Sequence, residues 1–215
     1  MILKRIKVQM KFVGETNCYI VIDEKKKEAI VIDPAGNVPK IVEILENLDV
    51  KLKYIYLTHC HADHINGVNE LKNSKGGKVL IHRNGRENLE NGTPILSDYI
   101  GIPPLNVKED TIVDDEDVLH VGDIEFKVIH TPGHTNDGTS LYCKKEGMLF
   151  SGDTLFKGAW GRVDLPTSNF DDIMNSIIEK LLILPEETIV YPGHGRPTRI
   201  GDEKPIYLEA KPNID

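Results

Sequence analysis

Residues 58–64 read Thr-His-Cys-His-Ala-Asp-His, directly after the apolar run Tyr54-Ile55-Tyr56-Leu57. Imidazole and carboxylate at this density suit Zn²⁺, Fe²⁺ or Mn²⁺. His59 and His61, two apart in extended chain, can point the same way. Asp63 and His64 fall at the turn into the next helical pattern and can face an adjacent position, so the cluster can serve two neighbouring ions. Three further segments each supply one residue of the same kind: His134 in H-T-P-G-H-T, Asp153 in S-G-D-T and His194 in P-G-H-G. Asp153 can bridge the two ions while His134 and His194 complete one site each. Two cations held roughly 3.5–4 Å apart clamp a hydroxide and polarise a carbonyl or phosphoryl oxygen.

Something rigid must bring these segments together. Each follows an apolar run that ends abruptly: Leu57 before the first cluster, Ile129 before His134, Phe150 before Asp153 and Tyr191 before His194. Loops just past strand ends are where a scaffold places functional groups. Tyr19–Ile22 and Ala29–Ile32 read as two strands joined by a charged hairpin connection, and 53–57, 79–81, 124–129, 139–143, 148–150 and 188–191 read as further strands. Val38, Ile41, Val42, Leu45 and Leu48 recur at helical spacing behind Asn37, a candidate N-cap, with Pro39 in the first turn. Ile65, Val68 and Leu71 mark a second helix stopped by Gly76-Gly77. Residues 170–182 carry a third stripe, capped by Ser168 or Asn169. Residues 83–117 show little period and read as an insertion or lid. Strands and helices alternate without a linker, so residues 1–215 read as one α/β domain with helices covering packed sheets.

The net charge of −8 disfavours a nucleic-acid partner. Three scattered cysteines make no disulfide framework. The N-terminal segment lacks a signal-peptide core, and no apolar run is long enough to cross a bilayer. A cytoplasmic location and no membrane partner are expected. Cys60 should alternate away from His59 and His61 and pack in the core, and His82, His120 and His130 read as ordinary loop or strand-end histidines. Trp160 and Arg162 follow Asp153 closely enough to be candidate substrate contacts.

His-x-His-x-Asp-His followed by His, Asp and His at strand ends resembles the metallo-β-lactamase superfamily. T-P-G-H-T, S-G-D-T-L-F and Y-P-G-H-G are most similar to segments of its glyoxalase II-like (hydroxyacylglutathione hydrolase-like) members. The resemblance covers nearly the whole chain. It implies a four-layer αββα sandwich with the metals at one edge of the sheets. It further implies that His59, His61 and His134 hold one ion, that Asp63, His64 and His194 hold a second, and that Asp153 bridges. Asp33, in I-D-P-A, matches an aspartate that steadies the ligand loops in that family.

Three features depart from the family pattern. The chain stops at Asp215, shortly after His194, without the helical domain that helps full-length glyoxalase II bind glutathione. Arg162 stands where those enzymes carry a substrate-contacting Lys, and is equally able to grip a carboxylate. G-H-T-N-D-G-T replaces the more usual Pro-Gly after His-Thr.

The expected activity is metal-dependent hydrolysis of an acyl bond in a small molecule, a thioester of glutathione or a related thiol. Two divalent ions would act, zinc first, with iron or manganese as alternatives. Asp63 would bind metal and orient the hydroxide, and Asp153 would complete the catalytic pair. A mononuclear iron persulfide dioxygenase, using His59, His134 and Asp153, is the alternative enzyme. A non-catalytic metal-binding interaction domain is the remote one.

Overall fold

The computed structural model describes residues 1–92 and 95–208. Two six-stranded sheets dominate. The first runs in the order β1 (Ile2–Met10), β2 (Gly14–Asp23), β3 (Glu28–Ile32), β4 (Lys51–Tyr56), β5 (Lys78–His82), β6 (Thr111–Val113), antiparallel across the first three and parallel from β3 to β6. The second contains β7 (Val118–Val121), β8 (Ile124–His130), β9 (Thr139–Cys143), β10 (Met148–Gly152), β13 (Ile189–Pro192) and β14 (Thr198–Arg199). Its order is β14-β13-β10-β9-β8-β7. A small hairpin of β11 (Leu155–Phe156) and β12 (Ala159–Trp160) follows β10.

The period of two in the strands assigns the layers. In β2, Tyr19 and Val21 face the second sheet and meet Phe126, Leu141 and Phe150. Ile20 and Ile22 face the other way, onto Val38, Ile41 and Leu45 of α1 (Val38–Asn47) and onto α3 (Val68–Lys75). The second sheet repeats the arrangement. Its outer residues Tyr142, Leu149 and Val190 pack on Ile173 of α5 (Phe170–Asn175), on Ile177 and Leu181, and on α6 (Ile200–Leu208). The architecture is the expected αββα sandwich.

Parallel pairing gives the fold its functional edge. β3 and β4 run together, and so do β10 and β13. β9 is antiparallel to both β8 and β10, which aligns β8 with β10. The C-terminal ends of β3, β4, β8, β10 and β13 therefore gather along one rim. Thr139 ties the sheets there: its N–H and hydroxyl both reach the Thr58 carbonyl (2.8 and 3.1 Å), and Tyr56 Oη donates to Thr139 Oγ1 at 2.9 Å.

Several local expectations need correction. Asn37 stands at the N-cap of α1 but in the left-handed conformation (φ 50°), and its side chain caps nothing. The N-terminal residues, given no element from the sequence, form β1, which pairs with Gly14–Ile22 of β2. Residues 83–117 are only partly a cover. They include α4 (Arg83–Asn91) and β6, which extends the first sheet, while a 3₁₀ turn at Asp98–Ile100 lies at the rim. Residues 93–94 and the tail beyond Leu208 fall outside the described residues. The helix beginning at Phe170 is capped by Asn169 Oδ1, which accepts the Asp172 N–H at 3.0 Å. It widens into a π-helix over Ser176–Leu181, with Leu182 N bonded to Ile177 O at 2.8 Å. The wider turn lets Ser176 Oγ reach Pro132 O (2.7 Å) and Lys180 Nζ reach His130 O (2.6 Å), fixing the loop that carries His134.

Candidate metal centre

Four loops on the rim bring seven side chains together. α2 (Ala62–Ile65) starts just after His61, so His59 and His61 lie in extended chain while Asp63 and His64 occupy a helical turn. That change of geometry splits the cluster into two faces. His61 Nδ1 lies 3.1 Å from His59 Nε2 and 2.9 Å from His134 Nε2. On the other face His194 Nε2 lies 3.4 Å from His64 Nε2 and 3.3 Å from Asp63 Oδ2. Asp153 Oδ2 stands between them, 3.5 Å from His134 Nε2 and 3.3 Å from His194 Nε2. Donors on a tetrahedral ion at about 2.0–2.1 Å are separated by roughly 3.3 Å, so these spacings are those of a shared cation. Each face offers three donors mutually within 4.8 Å.

The outer ring nitrogens decide which way the lone pairs point. His134 Nδ1 faces the Arg162 carbonyl at 2.8 Å and His194 Nδ1 faces the Glu15 carbonyl at 2.8 Å. A carbonyl only accepts, so both Nδ1 atoms carry hydrogen. His64 Nδ1 donates to Asp33 Oδ2 at 2.8 Å. Thr58 Oγ1 spends its own hydrogen on Asp33 Oδ2 (2.7 Å), so His59 Nδ1, 3.1 Å away, must donate to Thr58. Four imidazoles thereby turn Nε2 inward, the arrangement that prepares histidine for a metal. Among the described residues, buried Asp153 Oδ1 and His61 Nε2 have no hydrogen-bond partner, His64 Nε2 standing 3.4 Å from the Asp153 oxygen without bonding it. The Asp153 oxygen is an orphaned acceptor that a cation would satisfy, and the donor set fits divalent metal.

Charge follows the same division. Burial pushes His59 well below the ordinary histidine range and His61 down to about 3, and it lowers His134 as well. These three are neutral ligands at physiological pH. Burial also works against charge on His194, but Asp153 and Asp63 outweigh it and lift the imidazole to about 10. His64 is raised well above its ordinary value by Asp63, Asp153 and Asp33 against the same burial. Asp63 and Asp153 are lowered despite burial, held by the facing imidazoles. Protons on the second face hold the place a cation would take.

The supporting residues were mostly invisible in the sequence. Thr16 Oγ1 donates to Asp63 Oδ2 at 2.9 Å. Asn17 binds the Pro192 and Gly195 carbonyls through its amide (2.9 and 3.0 Å), and Tyr19 Oη donates to Pro192 O at 2.7 Å. A run of polar residues opening β2 was the available signal. Asp33 accepts from Thr58 N at 2.8 Å besides Thr58 Oγ1 and His64, on the loop that carries His59 and His61. The two Pro-Gly-His turns need glycine for lack of room. A Cβ at Gly133 would strike the backbone of Ile173, and one at Gly193 would strike Asp153 Oδ1 and come within 2.6 Å of His64 Cε1.

The remaining candidates sort themselves. Cys60 is buried in the core beside Asp137, burial raising its thiol well above the usual range. His82 and His130 stack on each other (centroids 3.9 Å apart) away from the cluster, and His120 lies on β7. Trp160 and Arg162 line a cavity of about 380 Å³ whose floor is His61, Asp63, His134, Asp153 and His194. A larger groove of about 1010 Å³ on the second sheet, lined by Lys127, Tyr142 and Ile183, touches none of the ligating cluster. No described helix is long and apolar enough to cross a membrane.

Known proteins are similar to this chain in sequence and fold. Residues 12–194 match the model of the metallo-β-lactamase superfamily. The hydroxyacylglutathione hydrolase GloC of Haemophilus influenzae is 31% identical over 192 residues, covering 88% of this chain and 90% of that protein. The crystal structure of the B3 metallo-β-lactamase BLEG-1 superposes with a TM-score of 0.85 at 35% identity, over 94% of this chain and 96% of the other. That of ETHE1 from Myxococcus xanthus gives 0.78 at 29% identity, over 95% and 82%. By sequence, fold and the rim that carries the ligating cluster, the chain belongs to the metallo-β-lactamase superfamily.

Proposed function

We propose that the protein is a dinuclear metal-dependent hydrolase of a thioester. One observation carries the reading: donors from four loops converge on two adjacent positions, with Asp153 Oδ2 between them. His59 Nε2, His61 Nδ1 and His134 Nε2 would hold the first ion. Asp63, His64 and His194 would hold the second, with Asp153 within reach of both. When bound, the ions supply an activated water and Lewis-acid polarisation of the substrate carbonyl.

The chain's own groups do the rest. Asp63, fixed by the Thr16 hydroxyl, keeps a carboxylate at the cavity floor where it can bind metal and orient the nucleophile. Among the described residues lining the cavity, the one hydroxyl outside the ligand set is Tyr99, and Arg162 Nη1 binds it at 2.7 Å. That bond is donated by Arg162 and leaves the Tyr99 proton free, but no described carboxyl or imidazole outside the ligand set lines the cavity, so no side-chain acid of the kind that titrates near neutrality stands there to protonate a leaving group. A thiolate, with a pKa near 8.5, departs without that help, whereas an alkoxide or amide anion does not. The similarity to GloC, named as a hydroxyacylglutathione hydrolase, supports the same substrate class.

The test is to load the protein with zinc, iron or manganese, count the bound ions, and assay S-lactoylglutathione with simpler thioesters. Two ions per chain and turnover are expected; no hydrolysis across the panel with metal bound refutes the proposal. A mononuclear iron dioxygenase acting on a persulfide would use His59, His134 and Asp153, of which His134 and Asp153 stand 3.5 Å apart. It leaves Asp63, His64 and His194 without a task. One iron per chain with oxygen uptake on glutathione persulfide would establish it.

A further inference from the structure

We infer that the arm of the substrate lying above the metal centre is uncharged and apolar, an aryl or bulky aliphatic group rather than a carboxylate-bearing one. The inference rests on the hydrolase reading and names its substrate class. The vestibule of the cavity is walled by Phe12, Leu96, Tyr99, Phe156, Trp160 and Leu165. Phe12 is 69% exposed, Tyr99 46% and Trp160 40%, a concentration of wet aromatic surface continuous with the ligand cluster. Exposed apolar surface that borders a concave site is a recognition feature. The wall is also braced. Trp160 stands edge-on to Phe170 (6.2 Å between centroids) and against Tyr207 (6.0 Å), and Tyr207 Oη holds the Ala159 carbonyl at 2.8 Å.

The cation that might greet a carboxylate is already engaged. Arg162 is the one Lys or Arg among the described residues lining the cavity. Its Nε and Nη2 pair with the two oxygens of Asp164 at 2.7 Å each, and Nη1 binds Tyr99 Oη at 2.7 Å. The bidentate fork, the feature that makes arginine a carboxylate receptor, is closed by an internal carboxylate. An anionic arm would have to displace Asp164 and face its charge. A neutral arm meets a compensated pair and aromatic walls. The sequence expectation that Arg162 grips a carboxylate is thus reversed: the residue braces Tyr99.

Two thioesters on one neutral carrier, S-phenylacetyl- and S-succinyl-N-acetylcysteamine, differ only in this arm. The metal-loaded protein should favour the phenylacetyl compound in kcat/KM by about tenfold or more, the factor one buried ring or one repelled charge supplies. Asp164→Asn should narrow that ratio by about threefold or more through gain on the succinyl compound, the size of a freed surface ion pair. Equal or reversed preference in the natural protein, or a ratio unmoved in Asp164→Asn, overturns the inference. Binding gives a readout independent of turnover. Trp160 is the only tryptophan of the chain, so its fluorescence reports titration with the phenethyl and carboxyethyl thioethers of N-acetylcysteamine. Tighter binding of the phenethyl compound with no thioester cleaved would sink the hydrolase reading and keep the apolar vestibule. Cleavage of both thioesters at equal efficiency would do the reverse.

Discussion

Asp33→Asn should weaken the hold on the second ion while leaving the fold in place. Asp33 is buried, with Oδ1 accepting Thr58 N–H and Oδ2 accepting both Thr58 Oγ1–H and His64 Nδ1–H. Asparagine has the same shape and tolerates the left-handed φ of 51° found here, so the backbone has no reason to move. Only one of its two terminal atoms accepts, however. If the amide nitrogen replaces Oδ2, it confronts His64 Nδ1–H, and His64 relieves the clash by carrying its proton on Nε2. That proton then points into the site where a lone pair is needed. If the nitrogen replaces Oδ1, it confronts the Thr58 N–H, which has no alternative acceptor and costs about 1–3 kcal/mol. Loss of such an outer partner weakens metal binding by about 10–100-fold, or roughly 1.4–2.8 kcal/mol. Competition against a calibrated chelator, with bound metal counted by plasma emission, should show one ion per chain weakened by that factor and the ion at His59, His61 and His134 held more nearly as before. Thermal melts of both metal-free proteins check folding. Two ions retained by the variant with affinity within about threefold of the natural protein would refute the claim that Asp33 sets the His64 tautomer.

Gly193→Ala drives a methyl into Asp153 Oδ1 and against His64, so metal content and hydrolysis should both collapse. Gly195→Ala, with open space but a φ of 76°, should cost only about 1 kcal/mol of stability and keep its metal; equal metal loss in the two would contradict the steric account. Burial raises the Asp137 carboxyl to about 6, above its unfolded value of 3.8. Its contribution is therefore full below pH 3.8 and lost as pH rises through about 6, leaving a buried charge beyond. Asp137→Asn should raise the metal-free Tm relative to the natural protein at pH 8 more than at pH 4.5, and an identical shift at both would count against this. Glu203 is buried, accepting from Thr198 Oγ1 (2.6 Å) and from the Gly158 N–H (2.8 Å) ahead of Trp160. Glu203→Gln turns a donor toward one of them and should raise KM with kcat nearly unchanged; a fall in kcat alone would show that the hairpin does more than hold substrate.

The sandwich and the ligating cluster were legible for one reason: strand ends and ligands coincide. Short apolar runs bounded by turn residues marked β2, β3, β4, β8 and β10, and a His or Asp stood just beyond several of them. What sets the imidazoles was not legible, because the acceptors opposite His134 and His194 are the main-chain carbonyls of Arg162 and Glu15. Every residue has a carbonyl, so side-chain identity carries no trace of that role. The partners of Arg162 were only half legible for a related reason. Asp164 lies two positions away and was visible, but Tyr99 comes from a segment that showed no period, and the closed fork needs both. The π turn at 176–181 preserved the apolar stripe of an α-helix and so left no mark in the spacing.

Each ligand set draws on both sheets, and this gives the ions a structural task beside the chemical one. The first sheet delivers His59, His61, Asp63 and His64 past β4; the second delivers His134, Asp153 and His194 past β8, β10 and β13. Neither sheet alone can hold an ion with three donors from the sets that cluster here. Bound metal thus acts on the packed sandwich and scarcely on the unfolded chain, stabilising it by RT ln(1 + [M]/Kd), about 4 kcal/mol at 1,000 times Kd. Without metal, the rim is held by the Thr139–Thr58 bonds and the Asn17–Pro192 contact, while the apolar layer around Phe126 and Phe150 joins the sheets below. The metal-free protein should remain folded but melt earlier, and Tm should climb with the logarithm of free metal above Kd. His194→Ala should flatten that climb, because it removes the second-sheet donor from one set. A Tm indifferent to metal, in protein shown to bind it, would mean that the donors do not span the two sheets as placed.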